Sequence, residues 1–179
     1  MHTFLSIVLA LLITGADQGI KHFVRQFPRD GFLFSLGPLF SCWRTTNTGI
    51  AFSLLSRFPA LILVLSAAFT AWFVYYLCTR KSRIEQLVCA VILGGTLGNL
   101  IDRVFQGYVV DFIDVRIINF AIFNFADICA VCGGIYFGIM LAVDEIKEDK
   151  EKKAAKNSEV TALSENVGQA DDLNKDEQA

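Results

Sequence analysis

Of the seven acidic residues among the first 143 positions, only Asp30 and Glu85 lie in clearly polar stretches. Asp17, Asp102, Asp111, Asp114 and Asp127 are embedded in or border apolar runs. A carboxylate in such surroundings is costly unless it is paired or used. The spacing suggests use. Gly95, Asn99 and Asp102 fall at i, i+4 and i+7, so one helix face is small, polar and acidic. Asn124 and Asp127 are one turn apart on a shared face, and Asp111 lies between the two segments in "YVVDFIDV", a short β-like stretch. A short connection makes the flanking helices antiparallel neighbours and brings Asp111 and Asp127 together near the outer membrane surface. Two close carboxylates cannot both ionise cheaply, so such a pair shares a proton, as in an aspartic peptidase. One carboxylate then takes a proton from water while the other donates a hydrogen bond to the peptide carbonyl.

The same residue types admit other work. An intramembrane Asp also serves as a structural partner for Arg or Asn, or as a step in a proton relay. Asp102, followed by Arg103, reads as such a structural group, and Asp17 can serve Lys21 at i+4. A hydrolase, a transporter with an ion relay and a noncatalytic assembly subunit all stay open on the chemistry alone. Other chemistries are poorly supplied. GxSxG and HExxH are absent and the only histidines are His2 and His22, which removes a Ser-His triad and argues against zinc. Lys21 is the only lysine touching an apolar run, so a Ser-Lys pair is not expected either. Of Cys42, Cys78, Cys89, Cys129 and Cys132, the last two form CxxC, which on a membrane helix is simply two small apolar residues one turn apart. No metal, no cofactor and no nucleic-acid partner are expected.

These carboxylates need elements that hold them in an apolar medium. Hydrophobic residues make up 54% of the 179 and charged residues 19%. Four apolar runs cover about 4–23, 59–78, 84–105 and 117–143. Crossing a bilayer takes about 20 apolar residues, and the second and fourth runs qualify outright. The first and third qualify if their polar residues face the protein interior. The second run, "PALILVLSAAFTAWFVYYLC", has no polar face at helical period, as a soluble helix would. The first run lacks Lys or Arg before it and ends in the polar "DQGIK", so it reads as a retained span rather than a cleaved signal. The expected fold is therefore membrane all-α: a bundle of four transmembrane helices. The 24–58 loop, with its aromatics, β-branched residues, Gly and Pro, adds a small β-rich element on the outer face. Arg80, Lys81, Arg83 and six tail lysines stand against five scattered arginines on the other side, which puts both termini in the cytoplasm. Residues 144–179 carry 11 acids and 6 lysines; the first part can extend the fourth helix, and the rest reads as a disordered cytoplasmic tail.

Four strings in order, "NTGIAFS" (47–53), "GGTLGNLIDR" (94–103), "VVDFIDV" (109–115) and "FNFADICAVCG" (123–133), resemble the principal motifs of lipoprotein signal peptidase, the type II signal peptidase of bacteria. "DQGIK" (17–21) is similar to a further family element, and the resemblance covers roughly 5–143. It implies an intramembrane aspartic endopeptidase with Asp111 and Asp127 as catalytic dyad, Asp111 rather than Asp114 being the family's catalytic position. It also implies that Asn47, Gly49, Asn99, Arg103 and Asn124 line the site under the 24–58 loop, with Asp17, Lys21 and Asp102 in structural parts. The implied substrate is a prolipoprotein whose cysteine carries diacylglycerol, cut just before that cysteine in the bacterial inner membrane. Membrane lipid is the surrounding partner, and a monomer is expected.

The charge distribution makes a testable statement about topology. A reporter enzyme active only outside the cytoplasm should work when fused within residues 30–56 or near position 118, and should fail at Ser82 or in the tail. Reporter activity at Ser82 would reverse the orientation.

Overall fold

A computed structural model of the chain describes residues 2–49, 57–80, 82–118 and 120–176, with side chains described through Ala154 except at position 118. Among the described residues there are four long helices: α1 (His2–Val24), α2 (Pro59–Thr79), α3 (Arg83–Gln106) and α4 (Phe125–Asp176). Each contains a window long and apolar enough to cross a membrane, that of α4 lying within Phe125–Ala154. Three strands, β1 (Gly31–Leu36), β2 (Phe40–Asn47) and β3 (Val109–Val115), form an antiparallel sheet in the order β1-β2-β3. The bundle and its small sheet match the expected class.

Polarity runs inside out. On α1 the buried residues are Ser6, Ala10, Thr14, Asp17, Lys21 and Val24, a stripe at spacings of three and four, while Phe4, Leu5, Leu11 and Leu12 are exposed. In water this pattern would be unstable; in lipid it sends the apolar side chains to the acyl chains and the polar ones inward. Helix α3 is the centre of the bundle. Half of its apolar window is buried (50%), against 22–28% for the other three. Its glycines make this approach possible. A Cβ on Gly95 would strike the backbone of Ala126 in α4, and Thr14 of α1 donates to the carbonyl of Gly94 at 3.0 Å. Small residues at helix crossings are the usual way membrane helices gain close packing. Gly95 lies against Ala126 and Cys129 while Gly133 meets Ile92, so α3 and the first part of α4 are antiparallel neighbours.

Helix α3 stops at Gly107, which takes φ 75° and returns its N–H to the carbonyl of Arg103 at 3.2 Å. The chain then enters β3, whose neighbour β2 pairs Thr45 with Asp111 and Asn47 with Val109. Val110 and Phe112 turn one way, into an apolar cluster with Val24 and Cys42. Residues of the other parity face the opposite side.

The fourth helix begins later than its apolar run does. The run starts near Ile117, but Arg116–Ile118 is a 3-10 turn and Phe123 exchanges backbone hydrogen bonds with Ile113, so α4 begins at Phe125. Hydropathy cannot register this, because the residues that pair with β3 are as apolar as the helix they precede. At the other end the helix extends to Asp176, past the point where composition suggests a disordered tail. Acid–lysine pairs one turn apart, Glu148 with Lys152 at 3.6 Å and Asp144 with Lys147 at 3.8 Å, favour helix in the first part of this stretch, which the sequence allowed to extend α4. The second half of the first motif, positions 50–53, lies outside the described residues.

Crowding at the α3–α4 crossing predicts a contrast between glycines. Gly95→Val should lower the thermal midpoint in detergent, by the equivalent of about 1–3 kcal/mol of overpacking. Gly15→Ala, with nothing within 4 Å of the added carbon, should leave it unchanged. Equal effects at the two positions would contradict the close crossing.

Candidate active site

Asp127 owes its orientation to the way α4 starts. Asn124 Oδ1 accepts the backbone N–H of Asp127 at 3.0 Å, and Asp127 Oδ2 accepts the backbone N–H of Asn124 at 3.1 Å. This reciprocal pair is a capping box, which satisfies two orphan donors of the first turn. Here it also locks a carboxylate in place. The other oxygen, Oδ1, accepts from Asn99 Nδ2 at 2.8 Å.

Asp111 is held from two sides. Asn124 Nδ2 donates to its Oδ1 at 2.7 Å and Asn47 Nδ2 to its Oδ2 at 3.0 Å. The amide of Asn47 is fixed in turn, since its Oδ1 accepts the N–H of Gly49 at 2.9 Å. Each of the four carboxylate oxygens of Asp111 and Asp127 therefore carries one N–H donor. Asn124 serves both residues, so both lie within reach of one side chain.

Asp111 and Asp127 line the same cavity, about 260 Å³, together with Asn47, Asn99 and Arg103. Its remaining wall is apolar, from Phe120 to Phe123 with Val109 and Val131. Arg103 reaches across it, donating to the carbonyls of Gly49 (3.1 Å) and Asn99 (3.4 Å). Arg103 lines the cavity, whereas Asp102, its neighbour in sequence, pairs with Lys21 and Arg25. Successive residues of a helix point about 100° apart, and Asp102 turns toward α1 instead.

Burial pushes the Asp111 carboxyl up to about 6, the negative charge of Asp127 adds to the rise, and the Asn124 and Asn47 amides oppose it. One of the pair is thus set to keep a proton where an ordinary carboxylate has lost it. Among the described residues, no three His, Cys, Asp or Glu side chains converge as metal ligands would.

The third aspartate of this region is placed elsewhere. Asp114 lies opposite Ser41, whose hydroxyl donates to it at 2.6 Å, and Arg116 stands 3.6 Å away. It does not line the cavity. Strand parity explains the difference: residues three apart in β3 face opposite sides, so Asp111 and Asp114 cannot share a face. Period two was visible in the sequence and could have separated them without any resemblance.

Asp17, Lys21 and Asp102 form a buried cluster beside the cavity. Lys21 Nζ lies 2.8 Å from Asp17 and 3.1 Å from Asp102, all three at 0% side-chain exposure. Two members went unread in the sequence: Arg25, 2.5 Å from Asp102, and Gln18, which donates to Asp102 at 3.3 Å. Arg25 follows Lys21 by one turn, and that spacing was the available signal.

Comparison with known proteins places this geometry in context. A family model described as signal peptidase (SPase) II matches residues 9–143. The chain is 44% identical over 126 residues to a lipoprotein signal peptidase of Mesorhizobium japonicum, covering 66% of this chain and 75% of that one. It is 37% identical over 156 residues to the lipoprotein signal peptidase of Gloeothece citriformis, covering 83% and 94%. A bacterial membrane enzyme solved by the in meso method superposes with a TM-score of 0.72 at 28% identity, over 78% of this chain and 88% of that one.

The donors on Asp111 predict a titration. In infrared difference spectra against Asp111→Asn, the carboxyl should lose its proton near pH 6. Asn47→Ala removes a donor that favours the charged form, so the midpoint should move to higher pH. A midpoint that stays put or falls would show that Asn47 does not bond the ionised carboxylate.

Proposed function

The chain belongs to the signal peptidase II family of membrane peptidases, and from that premise we propose that it is an aspartic endopeptidase with Asp111 and Asp127 as its dyad. The observation that carries the reading is the pair of carboxylates on one cavity, each oxygen bearing a single N–H donor. Asp111, the more buried, holds the proton and donates it in a hydrogen bond to the scissile carbonyl. Asp127, ionised, accepts a proton from the attacking water. The water oxygen bonds to the carbonyl carbon, giving a tetrahedral intermediate. Collapse breaks the C–N bond as a carboxyl proton passes to the departing amine.

The substrate in this reading is a prolipoprotein bearing diacylglycerol on the cysteine just after the cut. Cleavage leaves that cysteine with a free amine and releases the signal peptide as a carboxylate. Pockets for drug-sized ligands run to about 300–1,000 Å³, so a cavity of about 260 Å³ suits the short side chains flanking the bond. Two acyl chains do not fit it and would stay among the lipids against the exposed helix faces. Asn and Arg donors suit a site where peptide carbonyls lose their water partners. The enzyme works in the bacterial inner membrane with cytoplasmic termini and an outward-facing site, as a monomer, and without metal, cofactor or nucleic acid.

The test is cleavage of a lipidated prolipoprotein by purified protein. Asp111→Asn and Asp127→Asn should each insert and fold, yet lose activity by several orders of magnitude, and the double variant should be little worse than either. Asp114→Asn, outside the cavity, should keep substantial activity, and EDTA should have no effect. Near-normal cleavage by both Asp111→Asn and Asp127→Asn would refute the dyad.

A further inference from the structure

Lys21 does not line the cavity, yet its ammonium touches the residue that holds Asp127. All three of its N–H bonds are engaged: Asp17 Oδ2 at 2.8 Å, Asp102 Oδ2 at 3.1 Å and Asn99 Oδ1 at 2.8 Å. The last of these sets the chemistry of Asn99. With its oxygen against a cation, the amide must present Nδ2 on its other side, and there it meets Asp127 Oδ1 at 2.8 Å. A flipped amide would set N–H against ammonium and oxygen against carboxylate, repulsive at both ends. The same Asn99 oxygen accepts from Asn124 Nδ2 at 3.2 Å, the group that also donates to Asp111 at 2.7 Å.

We propose that Lys21 is a positioning residue for the dyad: its buried ammonium fixes the amide orientation of Asn99 and, through Asn99 and Asn124, the donors offered to Asp127 and Asp111. This rests on the dyad reading and goes beyond a purely structural ion pair. The charged groups about Lys21 come from every neighbouring element: Asp17 on α1 and Arg25 in the turn just after it, Asp102 and Arg103 on α3, Asp111 on β3 and Asp127 on α4. Desolvation and the Asp127 charge raise Asp111, and the Lys21 charge is among the influences that lower it. Removing the cation therefore moves Asp111 in one direction only, upward.

Lys21→Met alone strands two buried carboxylates and endangers folding. The variant to use is Lys21→Met combined with Asp17→Asn. It removes one charge of each sign, leaves Asp102 with Arg25, and keeps an oxygen for the backbone N–H of Ala126, which Asp17 now accepts at 3.1 Å. The folded fraction is measured first, and activity is expressed per folded molecule. Lys21 has no contact with the cavity, so kcat should fall roughly 10²-fold, the usual cost of a small misplacement, with KM nearly unchanged. The infrared midpoint of Asp111 should also move to higher pH. Asp17→Asn alone is the comparison that keeps the ammonium. It should retain most of the kcat and the original midpoint.

Wild-type kcat per folded molecule in the double variant, or an unmoved Asp111 midpoint, would overturn the positioning role and leave Lys21 a structural cation. The infrared reading does not depend on cleavage. Failure of the dyad itself would show separately, as activity retained by Asp111→Asn.

Discussion

One buried ammonium organises the end of this bundle that carries the sheet. Lys21 is fully enclosed and neutralised by Asp17 and Asp102, with Arg25 completing a cluster of two positive and two negative charges. Unpaired, any of these groups would be prohibitive away from water; removing one partner of a buried pair costs about 3–5 kcal/mol. Pairing makes the cluster tolerable, and its spare acceptors then recruit backbone. Asp102 accepts the N–H of Val110 at 3.3 Å, and Asp17 accepts the N–H of Ala126 at 3.1 Å. Each of these residues immediately precedes a member of the carboxylate pair, Asp111 or Asp127. Strand β3 and helix α4, which share no regular structure, are thus tied to the same few side chains of α1 and α3.

The polar interior and the apolar exterior are two consequences of one solvent. Side chains such as Leu11, Leu12, Val64, Leu65 and Ile135 are largely exposed because lipid, not water, is their surroundings. Helix association then cannot draw on a hydrophobic contrast with that medium. It relies on close packing at the α3 glycines and on hydrogen bonds such as Thr14 to Gly94. The amide-rich site extends the same logic. Asn47, Asn99 and Asn124 supply both donors and acceptors without charge, so they orient two carboxylates while leaving one of them able to hold a proton.

The sheet contributes register. Pairing of Thr45 with Asp111 and of Asn47 with Val109 brings the Asn47 amide beside Asp111, and the opposite face of β3 packs Val110 and Phe112 into the cluster with Val24. A slip of one residue would exchange those faces and bury Asp111 among apolar side chains. Asp114, three positions on, accepts from Ser41 and lies 3.6 Å from Arg116, at the turn that follows β3.

The sequence by itself determined everything that depends on order along one element. Run lengths set four spans, spacing put Asp17 and Lys21 one turn apart, and the motif resemblance chose Asp111 over Asp114, a choice the alternation in β3 also allows. Gly95, Asn99 and Asp102 were legible as one helix face because their periodicity belongs to that helix alone. Only the tertiary structure decided what each face meets. It turned Arg103 toward Gly49 rather than Asp102, brought Arg25 to Asp102 across 77 positions, started α4 at Phe125, and gave Asn99 a lysine on one side and an aspartate on the other. The reason is physical. A local period fixes the direction in which a side chain leaves its own backbone, whereas its partner depends on how helices cross, and that is set by glycines and charges acting together from several segments.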